Sequence, residues 1–560
     1  MSNRPSFLSW CIAGAAILLV ALLFARGLFY PFVLDDFRNI VKNPNVNPPS
    51  WEGLARDWKV SVDGLYVPLT FSFWSGLAEV SALVSRFTES QNLLSPSVFR
   101  IANFLLHAVN GWLVYSLFVD FSFGTMAAAL GALLFLLHPI QTETVIWIIC
   151  LRDLLSTMFC LMALRAYVFF LRDYRFRWGL AATLCFIGAI AAKPSSVMLP
   201  AIVALILIWK KRAAKDFYLL VGWAPLVALG IYWTYDAQPI YDPMRLIDLV
   251  PSFSERFLIA GDALRFYFGK LVLPSAFAID YNRSPTFVLS HPSACWMALV
   301  PFALLLALGL FRKWRLGLIS LGLSCIALLP TLGFFPFRFQ NISTVADRYA
   351  YFAMLGPALA VALWVERSKE SARQARVVVL LLVFSGLAVM TNLQVRVWKS
   401  ASTLYEHALS VTPQGWFAGT ALGMELMKQG RNREAIVQFH RVLKAQPNRW
   451  QLMGYLAGAL RSLGREAEAE VFSQREGEIS GQLLRGYAEK KLAAGDFLQA
   501  EELFSQAASR APVDPMIRYE WGEAWLRLGN LDEARLRFQD AVNLNPDFFL
   551  AFRRLEQLDR

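Results

Sequence analysis

Apolar and polar residues alternate along this chain in two different ways. Up to about residue 394 the apolar residues form continuous runs, beginning with FLSWCIAGAAILLVALLF from Phe7 to Phe24. A run of that length crosses a hydrocarbon core of about 30 Å as a helix. Further runs centre on residues 100–118, 121–138, 154–171, 179–192, 196–209, 217–235, 294–311, 316–333, 348–365 and 377–393, so eleven spans are predicted. The first run is read as an uncleaved anchor, because it is long and no A-x-A site lies between it and Asp35.

After residue 394 the runs give way to small and large apolar residues at helical spacing, and the pattern repeats. Gly430, Gly464, Gly495 and Gly529 are separated by 34, 31 and 34 residues. Five residues after each comes Ala435, Ala469, Ala500 or Ala534, then Phe439, Phe504 and Phe538, then Pro447, Pro512 and Pro546. A 34-residue helix-turn-helix period is that of the tetratricopeptide repeat, which stacks into a solenoid with a concave face for peptide or protein. The second unit departs, with Ser473 in place of the aromatic residue and no proline, and is expected to be degenerate or kinked. The segment YEHALSVTP, residues 405–413, carries a similar closing signature. The predicted organisation is all-α: a membrane bundle over 1–394, a helical junction or partial repeat over 395–414, and about four repeats over 415–560.

Composition agrees. With 56% hydrophobic and only 17% charged residues, and a mean hydropathy of +0.43, a chain of 560 residues is too apolar to be soluble. Four short hinges, RDYRFR at 172, KKRAAKD at 210, RKWR at 312 and ERSKESARQAR at 366, hold 14 Lys and Arg against Asp173, Asp216, Glu366 and Glu370. They account for +10 of the formal +12. By the positive-inside rule these hinges and the N-terminus are cytoplasmic. The basic balance therefore reports topology and gives no support for a nucleic-acid partner. The opposite face receives the loop over 30–97, the segment 236–293 and everything after about 394, which in a bacterial inner membrane means the periplasm. Cys11, Cys150, Cys160, Cys185, Cys295 and Cys325 all lie in or beside spans, so no disulfide framework or CxxC metal site is expected.

The candidate chemistry gathers on that exported face. Asp35 and Asp36 sit just beyond the first span in FVLDDFRNIVKNPNV. His138, Glu143, Arg152 and Asp153 come from LLHPIQTETVIWIICLRDLL, where residues 141–151 read as a helix along the surface and the fourth span starts after Asp153. Lys193 precedes Pro194 in the hairpin between two spans, and Asp347 and Arg348 open another. Ionisable residues at a span edge mark a site or pair with one another. Singly, each is equally accounted for as an interfacial anchor or a local pair such as Arg152 with Asp153. Together, cations at headgroup height hold a lipid-linked phosphate and a facing carboxylate takes a proton from a hydroxyl.

These residues resemble a known family. FVLDDFRNIVKNPNV, YVPLTF, FRIANFLLHAVN, LLHPIQTETVIWIICLRDLL and ADRYAYFAMLGP look like the membrane region of the transmembrane-and-TPR protein O-mannosyltransferases and their bacterial relatives, within the GT-C glycosyltransferases. The likeness covers nearly the whole chain, and the ordered set rather than any one motif carries it. It implies inverting transfer of a sugar from a polyprenyl phosphate to hydroxyls of an exported protein, with the repeats binding acceptor or partner. It makes Asp35 the general base and Asp36 its orienting neighbour, since adjacent acids in an extended segment point apart. Arg152, Lys193 and Arg348 are expected at the donor phosphate, with His138, Glu143, Asp153 and Asp347 in support. No metal is required by the protein mannosyltransferases; a divalent cation is the alternative found in other GT-C enzymes. Two other readings stand beside this one: a GT-C enzyme acting on a lipid or envelope glycan, and a non-catalytic membrane scaffold.

The topology is checked by labelling. In a background without native cysteines, Ala213→Cys is expected to be shielded from an impermeant thiol reagent in intact cells while Arg431→Cys reacts once the outer barrier is permeabilised. The reverse pattern inverts the topology.

Overall fold

The computed structural model describes residues 7–62, 64–87, 94–237, 252–290, 296–310, 315–334, 337–447 and 449–559. Each apolar run contains a helix among the described residues, residues 294, 295 and 311 of the run 294–311 lying outside them: Phe7–Phe24, Pro96–Asp120, Thr125–Leu137, Leu151–Asp173, Phe176–Ala192, Leu199–Trp209, Tyr218–Ala237, Val300–Leu310, Arg315–Leu328, Leu355–Glu366 and Glu370–Val397. Among the described residues there is no strand, only one isolated bridge between Val62 and Leu65. Two further helices of 20 residues, Pro68–Phe87 and Phe253–Val272, occupy segments expected as loops; charged residues interrupt both, so neither reads as an apolar run.

Among the described residues, four helices are long and apolar enough to cross a membrane by themselves: Pro96–Asp120, Ile148–Asp173, Ala214–Ala237 and Glu370–Val397. A fifth span results if Thr125–Leu137 and Pro139–Ile146, bent by 51°, count as one. Five shorter apolar helices accompany them. The chain divides after Pro413 into two units.

In the first unit, helices approach closely through small residues, as bundles in lipid do. A Cβ at Gly131 would lie 2.7 Å from Ala358 O, so only glycine lets Thr125–Leu137 lie on Leu355–Glu366 at that spacing. The helix Ala401–Val411 belongs to this unit, capped by Ser400 and tied through His407 Nε2, which donates to Phe277 O at 2.9 Å.

The second unit is built from helix pairs. Trp416–Lys428 pairs with Asn432–Ala445, Gln451–Arg461 with the start of Glu466–Ala493, and Pro515–Arg527 with Leu531–Leu544. Gly430, Gly464, Gly495 and Gly529 all have φ between +73° and +82°, the left-handed conformation that ends a helix at low cost only for glycine. Ala435, Ala469, Ala500 and Ala534 are fully buried, as are Phe439, Phe504 and Phe538. The departure in the second repeat has a direct consequence: with no proline to stop it, Glu466–Ala493 runs on for 28 residues and supplies helices to two successive repeats.

Phe538 rests on Gly522, where an added Cβ would stand 2.7 Å from its ring. Phe538→Ala is expected to lower the stability of the last repeats by about 3–5 kcal/mol. Hydrogen exchange of Leu531–Leu544 in the intact protein measures the loss, with exchange in the first unit unchanged.

Candidate active site

The segment between the third and fourth predicted spans fixes everything around it. A Pro at position 139, which has no N–H to give, ends Thr125–Leu137, and the chain then makes a 3-10 turn Pro139–Gln141, a short helix Thr142–Ile146 and a second turn Ile148–Cys150. Every residue over 138–151 is buried. The surface helix expected over 141–151 is therefore corrected to an interior break. Leu151 already starts the next helix, placing Arg152 and Asp153 in its first turn.

A break in apolar surroundings frees carbonyls that must find donors. They find them in one stripe of the helix Pro96–Asp120. Arg100 Nε donates to Ile146 O at 3.3 Å, and Asn103 Nδ2 to Val145 O at 3.3 Å and Trp147 O at 3.1 Å. His107 Nε2 donates to Leu136 O at 3.2 Å, and Asn110 Nδ2 to Leu154 O at 2.9 Å. Tyr351 OH donates to His107 Nδ1 at 2.9 Å and accepts from Asn110 at 3.1 Å, which sets the imidazole tautomer. Thr391 Oγ1 adds a bond to Leu137 O at 2.7 Å.

The acid-bearing turn leans on the same break. Leu34 has φ +52° and Asp36 φ −57°, so residues 34–36 form a turn and not the extended segment expected, and a single π-type turn Phe37–Val41 follows. The two acids separate sharply. Asp35 is exposed. Asp36 is fully buried, with Oδ2 accepting from Val33 N–H at 3.0 Å and Oδ1 from Ile149 N–H at 3.1 Å. Burial pushes the Asp36 carboxyl up to about 7, against the two amide bonds and the charge of Arg100.

An open cleft brings together Asp153, Lys193 and Arg348, with Ser195, Ser196 and Tyr349. Lys193 Nζ is ion-paired to Asp153 Oδ1, and Arg152 Nε lies 3.6 Å from Asp153 Oδ2. Arg348 Nη1 is 2.5 Å from Glu143 Oε1, and its guanidinium lies 4.3 Å from the Phe339 ring centre. Lys193 and Arg348 thus face the cleft, each held by a carboxylate, Asp153 and Glu143 respectively, while Arg152 pairs with Asp153 without lining the cleft. Glu143 and Asp347 line a second, smaller cleft with Phe277, Trp398 and His407. Tyr281 OH reaches both Asp347 oxygens, at 2.7 and 2.9 Å, and burial together with Glu143 drives that carboxyl well above the usual range. His138 is buried, and its Nδ1 accepts from Ile140 N–H at 3.2 Å, capping the 3-10 turn. Asp35 and Asp36 line neither cleft. Among the described residues no three His, Cys, Asp or Glu side chains gather as metal ligands.

Sequence reasoning passed over Arg100, Asn103, His107 and Asn110. Their signal was present: polar residues at intervals of three, four and three inside an apolar run share one helix face. Tyr281 and Tyr351, by contrast, announce themselves by no local pattern.

The fold is that of a multi-pass helical membrane protein with C-terminal tetratricopeptide repeats. Residues 93–233 match the family described as Dolichyl-phosphate-mannose-protein mannosyltransferase, and 420–476 and 488–547 match the Tetratricopeptide repeat. The chain is similar to Protein O-mannosyl-transferase TMTC3 of Mus musculus, 23% identical over 95% of this chain and 60% of that one. A protein O-mannosyl-transferase of Caenorhabditis elegans is 24% identical over 74% of this chain and 60% of its own length. Protein O-mannosyl-transferase TMTC1 of Homo sapiens is 32% identical over 28% of this chain and 18% of its own. The chain thus spans about 60% of the length of the first two relatives.

The buried Asp36 gives a pH signature. In the unfolded chain it ionises near 3.8, in the fold near 7, so between those values the folded form keeps a proton the unfolded form has lost. Its contribution to stability falls as pH rises from about 4 to about 7 and is level on either side. The difference in thermal midpoint between wild type and Asp36→Asn, measured in detergent, is expected to change through that window; a constant difference contradicts it.

Proposed function

We propose that this protein is an inverting membrane glycosyltransferase that moves a sugar, mannose by likeness to its relatives, from a polyprenyl-phosphate donor to hydroxyls of exported proteins. The observation that carries the reading is the division between neighbouring acids. Asp36 is spent on two backbone amides, while Asp35 is held out on a fixed turn a short distance after the first helix ends. A base needs that freedom and that fixity together.

In this reading the acceptor hydroxyl oxygen attacks C1 of the sugar as the C1–O bond to the donor phosphate breaks, and Asp35 takes the hydroxyl proton. The charge left on the phosphate is met by Lys193, Arg348 and Arg152, of which the guanidinium of Arg348 offers a planar fork and Lys193 a point charge. Asp153 and Glu143 orient those cations. The repeats hold the acceptor or a partner that carries it.

The purified protein, reconstituted in liposomes with polyprenyl-phosphate mannose and an extract of exported proteins, tests this. Asp35→Asn is expected to lose transfer by at least about 100-fold with its abundance and thermal midpoint kept. Transfer at the wild-type rate removes Asp35 as the base.

A further inference from the structure

We infer that Arg100 is the positioning residue for Asp35; this rests on the reading of Asp35 as the base. Its side chain is 2% exposed and bridges two segments far apart in sequence. On one side it donates to Tyr30 O and, at 2.7 Å, to Pro31 O; on the other, to Ile146 O in the buried break. Asp36 makes the matching tie in the opposite direction, from the turn to Ile149 N–H at 3.1 Å. The acid turn and the break are thereby joined twice, once through Arg100 and once through Asp36.

The turn needs holding. Leu34, immediately before Asp35, has φ +52°, a left-handed conformation that costs a non-glycine residue roughly 1–2 kcal/mol. Released, Leu34 relaxes to negative φ and swings the Asp35 side chain with it. Residues on the upstream side are pinned: Tyr30 and Pro31 by Arg100, Phe32 by its ring against Phe99 at 5.8 Å, and Val33 by Asp36. Arg100 reaches three carbonyls through a planar fork, a geometry that a lysine ammonium cannot reproduce although it keeps the charge.

Arg100→Lys tests the assignment in the liposome assay with polyprenyl-phosphate mannose. Displacing a catalytic group by about 1 Å costs on the order of 100-fold, so kcat is expected to fall between about 10- and 100-fold with the donor KM within about threefold of wild type. Adding Leu34→Gly, which adopts positive φ without strain, is expected to restore part of that kcat. An unchanged kcat in Arg100→Lys, or a loss that Leu34→Gly does not relieve at all, overturns the proposal. If Arg100→Lys alone does not accumulate, Leu34→Gly with and without Arg100→Lys carries the comparison: lower kcat at equal KM supports it and equal kcat overturns it. An active Asp35→Asn variant would instead undo the reading of the base, independently of what Arg100 does.

Discussion

A backbone that leaves its helix inside an apolar bundle strands its carbonyls, and each one left without a donor costs several kcal/mol. Here the break over residues 138–150 is held because Arg100 and Asn103 donate to the carbonyls of Val145, Ile146 and Trp147, and His107 to that of Leu136 in the turn before it, all from one face of the helix Pro96–Asp120. Thr391 from the helix Glu370–Val397 adds a donor to Leu137 O. Arg100 then has donors to spare for Tyr30 and Pro31, and the amide of Ile149 is free for Asp36. The same break therefore sets the position of the acid turn, and through Glu143 it also anchors Arg348. In the buried Glu143–Arg348 pair the mutual attraction offsets the cost of taking both groups out of water.

The repeats obey a simpler logic. Their stability is local, set by alanines and phenylalanines that pack within a helix pair and against the next one, and by glycines that end helices in the left-handed conformation. A membrane bundle whose geometry depends on long-range polar ties is thus followed by a module whose parts depend on near neighbours.

The sequence made some of this legible. Each apolar run marks a helix because burial in lipid and in a helix interior both demand it, and the glycine-to-proline spacing of the repeats marks their turns because backbone sterics leave few alternatives. The separate fates of Asp35 and Asp36 could be anticipated only as divergence; the turn at Leu34 that produces it is a tertiary effect. The break was misread as a surface helix because TETVIWIIC has helical periodicity, and only the donors on a helix some 40 residues upstream decide against it. The polar stripe at 100, 103, 107 and 110 was readable in principle, hidden by an average hydropathy that still passes for a membrane span.

Glycopeptide mass spectrometry of the exported proteome, with and without the protein, is the most direct test of the proposed transfer of sugar to exported proteins. Hexose-bearing Ser and Thr peptides present in the first sample and absent from the second, returning when the wild-type chain is restored, are the result expected. An identical set of glycopeptides in both samples contradicts the account.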